Sequence, residues 1–346
     1  MIKKVPVLVL SGFLGSGKTT LLQKMLNAFV AKGMRPAVIM NEVGDVNLDG
    51  QLLEERIPMR EMLSGCICCT IRGDLGLEIK QLVEDWSPDL IMIEATGVAN
   101  PMEIFDGVTE AALLVHIEIK AMITVIDAAH FMHWHQKGTG RTYRLMQDQI
   151  RCASILLINK SDLISTAELD EMKQRIQTIN PAAVMHSTVY CEVDHSLIEG
   201  VFQAHEFVPI VEGQHHDEDD GYDTCDHPHD HDHHHHNHHD HSDPKHEGHH
   251  THSYDHVMVY THYFQQPVES KRFEQFVSQL PDRVYRAKGV FTSAETGERM
   301  LFQFAFRQLE LIRINPQGKV HDVAVFMGEQ FSQNELKREL EQSITY

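Results

Sequence analysis

The chain has 346 residues, 42% of them hydrophobic, which is enough for one large domain and a smaller one with a sizeable core. A formal net charge of −20 argues against general binding to nucleic acid or an anionic membrane, both of which favour basic surfaces. No apolar run reaches the ~18–20 residues that span a bilayer, and the six cysteines are too few and too unevenly placed for a disulfide framework.

Lys3 and Lys4 precede an apolar run that faintly mimics a signal peptide. The run lacks a small-residue cleavage site, so a cytoplasmic protein is expected. Val5 to Leu10 reads as a strand, Gly12 to Thr19 fits G-x-x-x-x-G-K-[ST], and Leu21, Leu22, Met25, Leu26 and Phe29 recur at helical spacing. Strand, glycine-rich loop and amphipathic helix are the context of a phosphate-binding loop. Gly12, Gly15 and Gly17 let the backbone turn tightly and aim N–H groups at an anion. The helix start adds free N–H groups and the positive end of its dipole. Lys18 is expected to reach the β/γ-phosphates and the Thr19 hydroxyl to ligate Mg²⁺, with Ser16 and Thr20 completing the nucleotide-binding stretch.

Arg35 to Met40 is predicted as a second strand, and Asn41 to Gly50 as a polar, acidic loop. Ile57 to Leu63 leads to Gly65-Cys66-Ile67-Cys68-Cys69, and Ile71 to Trp86 reads as an amphipathic helix. Leu90 to Ile93 is a strand ending on Glu94, followed by the loop Glu94-Ala95-Thr96-Gly97. Met122 to Ile126 is a strand ending on Asp127, and His130, His133 and His135 are expected in a solvated loop. A helix from Arg141 to Arg151 precedes the strand Ile155 to Ile158, which runs into Asn159-Lys160-Ser161-Asp162. A helix at Ala167 to Ile179 and a strand at Ala182 to Thr188 complete the series. Strands alternating with helices imply an α/β fold, its mostly parallel sheet covered on both faces and its ligands at the carboxyl ends of the strands.

Composition changes at about Gly213. Gln214 to His256 holds 17 of the 26 histidines, 12 Asp or Glu and one Lys, so a disordered insert is expected. From Val257 the pattern is globular again: a strand to Phe264, a helix at Glu269 to Gln279, several strands and a last helix from about Asn334. The expected organisation is a nucleotide-binding domain over 1–212, a His/Asp-rich metal-binding linker over 213–256, and a small α+β domain over 257–346.

Asn159-Lys160-Ser161-Asp162 fits N-K-x-D. The Asp162 carboxylate can accept from the N1–H and amine of guanine, a donor pair adenine lacks, and the Lys160 stem can cover the base. The expected nucleotide is GTP, and the first domain is then a P-loop GTPase. Glu94 is the expected Mg²⁺-orienting carboxylate and Gly97 a backbone donor to the γ-phosphate. Asp127 competes for the Mg²⁺ role, and Glu94 is favoured because Thr96-Gly97 follows it. No catalytic Gln or arginine finger is identifiable.

Three thiols within Cys66 to Cys69 can converge on Zn²⁺ or Cu⁺, with Glu42, Asp45, a histidine or water as a fourth ligand. A redox dithiol and buried packing cysteines are the other readings, and lone Cys152 and Cys191 read as core residues. In the histidine tract, which includes His233, His234, His235 and His236, imidazoles interleaved with carboxylates suit divalent transition metals; an inert spacer is the alternative.

With these residues the chain resembles the CobW-like metallochaperone GTPases, relatives of the nickel-inserting GTPases of urease and hydrogenase maturation. The likeness rests on GFLGSGKTT, the N-E-x-G segment Asn41 to Gly44, GCICC at Gly65 to Cys69, E-x-T-G at Glu94 to Gly97, NKSD, and Arg286-Ala287-Lys288-Gly289. The resemblance implies GTP-dependent supply of a metal to client proteins, with the C-x-C-C cysteines as ligands. The expected partners are GTP, a divalent metal and a client metalloprotein, with a second copy of the chain as a further candidate. Val43 stands where the family often has an aromatic, Asp45 where it has Glu, and Asn100 where it usually has Asp. The family has branches for cobalt, iron and zinc; ligand preference favours Zn²⁺ here, with nickel and cobalt next. Storage or buffering of zinc with incidental GTP hydrolysis, and a redox-sensing GTPase, are the rival functions.

Overall fold

The computed structural model describes residues 3–40, 57–61, 71–181, 183–193, 257–316, 318–329 and 331–344. Glu42, Asp45, Cys66, Cys68, Cys69 and the histidine tract with His233, His234, His235 and His236 lie outside the described residues.

Seven strands form the first sheet: β1 (Val5–Ser11), β2 (Pro36–Met40), β3 (Met59–Glu61), β4 (Leu90–Glu94), β5 (Ile117–Asp127), β6 (Ile155–Asn159) and β7 (Val184–Ser187). Their order is β3-β2-β4-β1-β5-β6-β7, and every pairing is parallel. Among the described residues six helices accompany them: α1 (Lys18–Ala31), α2 (Ile71–Trp86), α3 (Pro101–Leu114), α4 (Ala128–Lys137), α5 (Arg141–Arg151) and α6 (Thr166–Ile179). Side chains alternate across each strand. On β1, Leu8 and Leu10 meet Leu21, Leu22, Met25, Leu26 and Phe29 of α1. Val7 and Val9 face the other way, into a core with Leu75, Ile79 and Leu82 of α2 and Phe105, Val108 and Ala111 of α3. Leu156 and Ile158 of β6 share that second side with apolar residues of α4, α5 and α6. Both faces are therefore covered, which explains why the strands read as unbroken apolar runs.

Two elements depart from the expectation. Residues 101–114 form a helix for which the sequence reading had no element; Asn100 caps it, its Oδ1 accepting from the Met102 N–H at 3.0 Å, with Pro101 in the first turn. The segment with His130, His133 and His135 is helix α4 and not a solvated loop. Asp127 caps α4 by accepting from the His130 N–H at 2.9 Å, and Phe131 and Met132 anchor it in the core. Only two large buried apolar side chains mark that helix, too few for a clear period.

The second sheet is antiparallel, as the α+β reading expected. It comprises β8 (Val257–Tyr263), β9 (Val284–Thr292), β10 (Arg299–Ala305), β11 (Gln308–Ile314) and β12 (Val323–Glu329), in the order β11-β10-β9-β12-β8. One face carries α7 (Ser270–Ser278) and α8 (Gln333–Ile344) over an aromatic core of Phe273, Phe291, Phe302 and Phe326. The opposite face, with Val259, Tyr263, Val323, Val325 and Met327, joins the core that contains α2 and α3. Arg286 pairs with buried Asp106 at 2.6 Å and Lys288 with Glu110 at 2.8 Å, so both charged residues of the R-A-K-G segment seat the sheet on α3. Among the described residues no helix is long and apolar enough to cross a membrane.

Candidate nucleotide site

The carboxyl ends of β2, β4, β1, β5 and β6 lie side by side: Met40 is level with Glu94, Glu94 with Leu10, Ser11 with Thr124 and Asp127 with Asn159. The phosphate-loop residues, Glu94, Gly97, Asp127 and the N-K-x-D residues thus share one edge of the sheet.

The glycine loop is shaped by contacts that allow no side chain. Gly12 has φ +132°, and a Cβ there would meet the Val125 carbonyl oxygen at 2.1 Å. Gly17 has φ +112°, with Asn159 Nδ2 at 2.6 Å from such an atom. Gly15, at φ +71°, faces open space. Ser16 is fully buried, Thr20 exposed, and Lys18 is 7% exposed with Nζ donating to the Phe13 carbonyl at 3.2 Å. An ammonium folded back on the loop's own carbonyl keeps a partner until an anionic one replaces it.

The two acidic candidates hold different partners. The Thr19 hydroxyl donates to Glu94 Oε1 at 2.7 Å. Asp127 instead caps α4 through Oδ1 and holds the Lys160 ammonium through Oδ2 at 2.6 Å. Thr19 and Glu94 bring two hard oxygen donors together, the ligand type Mg²⁺ takes, whereas Asp127 already balances a cation. Among the described residues no group of three His, Cys, Asp or Glu side chains is placed to hold a metal ion.

Gly97 sits against the phosphate loop. A Cβ on it would lie 2.5 Å from the Leu14 nitrogen, so the loop after β4 and the loop after β1 touch backbone to backbone. At the other end of the edge, Asn159 is buried and works as a strut: Nδ2 donates to the Ser16 carbonyl at 2.8 Å, and Oδ1 accepts from the Cys191 N–H at 2.9 Å. Lys160 adopts φ +57°, beyond which Asp162 is exposed in a short 3₁₀ turn, Ser161–Leu163.

The loop after β7 was missed in the sequence. Its Thr188 carbonyl accepts from Ser161 through both N–H (3.2 Å) and hydroxyl (3.1 Å). The Cys191 thiol donates to the Gly17 carbonyl at 3.3 Å, and burial pushes that thiol up to about 11. Cys191 and Cys152 are both buried, as expected. Nothing in Thr188 to Cys191 forms a motif, because apart from the Cys191 thiol the loop contributes through its backbone.

A family model described as the CobW/HypB/UreG nucleotide-binding domain matches residues 6–187, more than half of the chain. The chain belongs to the CobW/HypB/UreG family. Residues 258–344 match the model of the cobalamin synthesis protein CobW C-terminal domain. Among curated relatives, the zinc-regulated GTPase metalloprotein activator 1 of Dictyostelium discoideum is 34% identical over 216 residues, 52% of this chain and 45% of the relative. The zinc chaperone CobW of Pseudomonas aeruginosa is 32% identical over 209 residues, 52% of this chain and 55% of the relative. The zinc chaperone YjiA of Escherichia coli is 30% identical over 201 residues, 56% of this chain and 60% of the relative. The chain thus spans about half the length of the curated relatives it matches. Zn(II)-bound YjiA GTPase from E. coli is similar to 99% of this chain and 100% of its own, with a TM-score of 0.46 and 21% identity.

Proposed function

We propose that the protein is a cytoplasmic, GTP-hydrolysing zinc metallochaperone, organised as a GTPase domain (1–212), a metal-binding linker (213–256) and a C-terminal domain (257–346). The observation that carries the nucleotide half is the 2.7 Å contact of Thr19 with Glu94 beside the glycine loop. Lys18 leaves the Phe13 carbonyl for the β/γ-phosphates, and the N–H groups of the loop surround the phosphate chain. Thr19 and Glu94 would hold Mg²⁺, which would supply charge neutralisation to the triphosphate. Gly97 offers its N–H to the γ-phosphate. Asp162 reads guanine, with the Lys160 stem against the base and its ammonium on Asp127. In hydrolysis, water attacks the γ-phosphorus and the bond to the β-phosphate oxygen breaks, giving GDP and phosphate.

The cargo half rests on Cys66, Cys68 and Cys69 with Glu42 or Asp45, and on relatives named as zinc chaperones. Thiolates with one further ligand suit Zn²⁺ over harder cations. The cysteines lie in sequence between the Asn41 loop and Glu94, so the nucleotide state and the metal site bias one another reciprocally, and the cargo passes to a client metalloprotein. Zinc affinity is measured with a GTP analogue, with GDP and without nucleotide. Values differing by about tenfold or more are expected, and identical values in all three states would sink the coupling. In the same assay the Cys66→Ala, Cys68→Ala, Cys69→Ala triple variant loses the tight site. An affinity ranking of Zn²⁺ against Co²⁺ and Ni²⁺ tests the metal.

The 17 histidines of Gln214 to His256 favour a second reading, zinc storage with incidental GTP hydrolysis. Deleting that segment separates the two. Storage predicts loss of nearly all bound zinc, whereas a chaperone keeps one tight site and its GTPase activity.

A further inference from the structure

Gln149 on α5 is only 2% exposed, and its side chain reaches out of its own helix. Its Nε2 donates to the Gly97 carbonyl at 3.2 Å and to the Ala99 carbonyl at 3.4 Å. These carbonyls flank Val98, which is 46% exposed, so one amide spans the middle of the loop between β4 and α3. The base of this arm is fixed. The Thr124 hydroxyl on β5 donates to the Gln149 carbonyl at 2.9 Å, and Thr124 is itself buried.

The remaining supports of the loop are equally specific. Glu94 at its start is held by Thr19. Ala99 N–H closes a turn onto the Thr96 carbonyl at 3.0 Å, and Asn100 at its end caps α3. On the side of the phosphate loop, Gly97 lies against Leu14. The Gly97 carbonyl is buried and needs a donor, which the Gln149 side chain supplies here.

We propose that Gln149 is a positioning residue for nucleotide turnover: its amide holds the Gly97–Val98 peptide in the docked setting from which the loop receives a γ-phosphate. The inference rests on the GTPase reading above. A residue acting this way contributes to the triphosphate state and not to the diphosphate state, because only the former engages Gly97.

The test compares the full-length wild type with Gln149→Met, which keeps the side-chain length and removes both donors, and Gln149→Glu, which keeps the shape and reverses the hydrogen-bonding sense. Affinities for GDP and for a non-hydrolysable GTP analogue are measured with the GTP hydrolysis rate. Both variants are expected to weaken the analogue and slow hydrolysis by about tenfold each, the scale of one buried hydrogen bond, with GDP affinity changed less than twofold. Equal losses for GDP and the analogue would mean a merely structural role and overturn the proposal, as would no loss in either. Should neither variant fold, hydrogen exchange of the wild-type segment 95–100 decides. Slower exchange with the analogue than with GDP supports the proposal, and equal exchange overturns it. A wild type that binds no GTP overturns the GTPase reading itself, a result distinct from wild-type binding with unchanged variants.

Discussion

The nucleotide edge lies at the amino end of α3 and the junction between the two sheets runs along α3 from Asp106 onward, and the two are made of different material. Beside its side-chain pairs Thr19–Glu94 and Lys160–Asp127, the edge is shaped by backbone and glycine: Gly12 against the Val125 carbonyl, Gly97 against Leu14, the Ser16 and Thr188 carbonyls held by Asn159 and Ser161. The junction is side chains: Arg286 on Asp106, Lys288 on Glu110, the Tyr263 hydroxyl on backbone groups, and an apolar layer around them. A site of aimed backbone requires residues at fixed spacing along the chain, whereas a docking surface takes what the fold brings together. Changes at the edge should therefore appear as lost chemistry and changes at the junction as lost stability.

The largest expected effect breaks the edge. In Gly12→Ala the new methyl meets the Val125 carbonyl and the backbone cannot keep φ +132°. Displacing the loop by an ångström is expected to cost at least ~100-fold in affinity for a GTP analogue. Gly15→Ala is the control, because φ is +71° but space is open, so it costs only about 1–2 kcal/mol of local strain. Equal losses in the two variants, measured by titration calorimetry, would show that the Val125 wall does not shape the loop.

The pH dependence of stability sharpens the comparison, since the second sheet, on both its helix-covered face and its junction face, and the nucleotide edge fail at opposite ends of the scale. In the second sheet, burial first, then Lys4 and Lys337, lower His262 to about 4 from its ordinary 6.5. The unfolded chain binds that proton more readily, so the contribution of His262 is complete above about pH 6.5 and is lost as pH falls toward 4. Its upper limit is about 3 kcal/mol. Burial and nearby positive groups lower His116 and His321 in the same direction, and their rings lie 4.0 Å apart at the junction. At the edge, burial raises Cys191 from 9.0 to about 11, so the unfolded chain releases that proton first. Stability is lost as pH rises above about 9, by up to ~2–3 kcal/mol. Denaturant unfolding from pH 4 to 11 should show an acid limb flattened by His262→Gln and an alkaline limb flattened by Cys191→Ala. Limbs unchanged in the variants would refute both assignments.

Legibility in the sequence follows the same division. The alternation of strands and helices announced the parallel sheet because both its faces are covered, and Gly12 to Thr19 and Asn159 to Asp162 were legible because each is a contiguous motif. The helix 101–114 was not anticipated although Asn100-Pro101 signals its start, the Asn100 side chain supplying the capping oxygen. Arg286 and Lys288 belong to a segment that carries the family resemblance but no local sign of their partners. Their partners Asp106 and Glu110 lie about 180 residues earlier, and no local pattern could pair them. Gln149 and the loop at Thr188 carry no motif because they act on or through backbone carbonyls, which every residue supplies.

The smallest expected effect tests whether the division is real. Tyr263 is 7% exposed, and its hydroxyl accepts from the Ile117 N–H at 3.0 Å and donates to the Val115 carbonyl at 2.9 Å. Burial pushes that phenol above its ordinary range, so it remains a donor at any working pH. Tyr263→Phe keeps the ring, its place in the core and its contacts with His116 and His321, and removes only the oxygen. Loss of these two bonds is expected to lower unfolding stability by about 1–2 kcal/mol. The hydroxyl serves the carboxyl end of α3, whose 14 residues carry it about 20 Å from the Asn100 cap beside Gly97. Affinity for the GTP analogue should therefore stay within about twofold of wild type. If it falls in step with stability, α3 transmits strain along its length and the second sheet is coupled to the nucleotide. The junction would then belong to the chemistry as much as the glycine loop does.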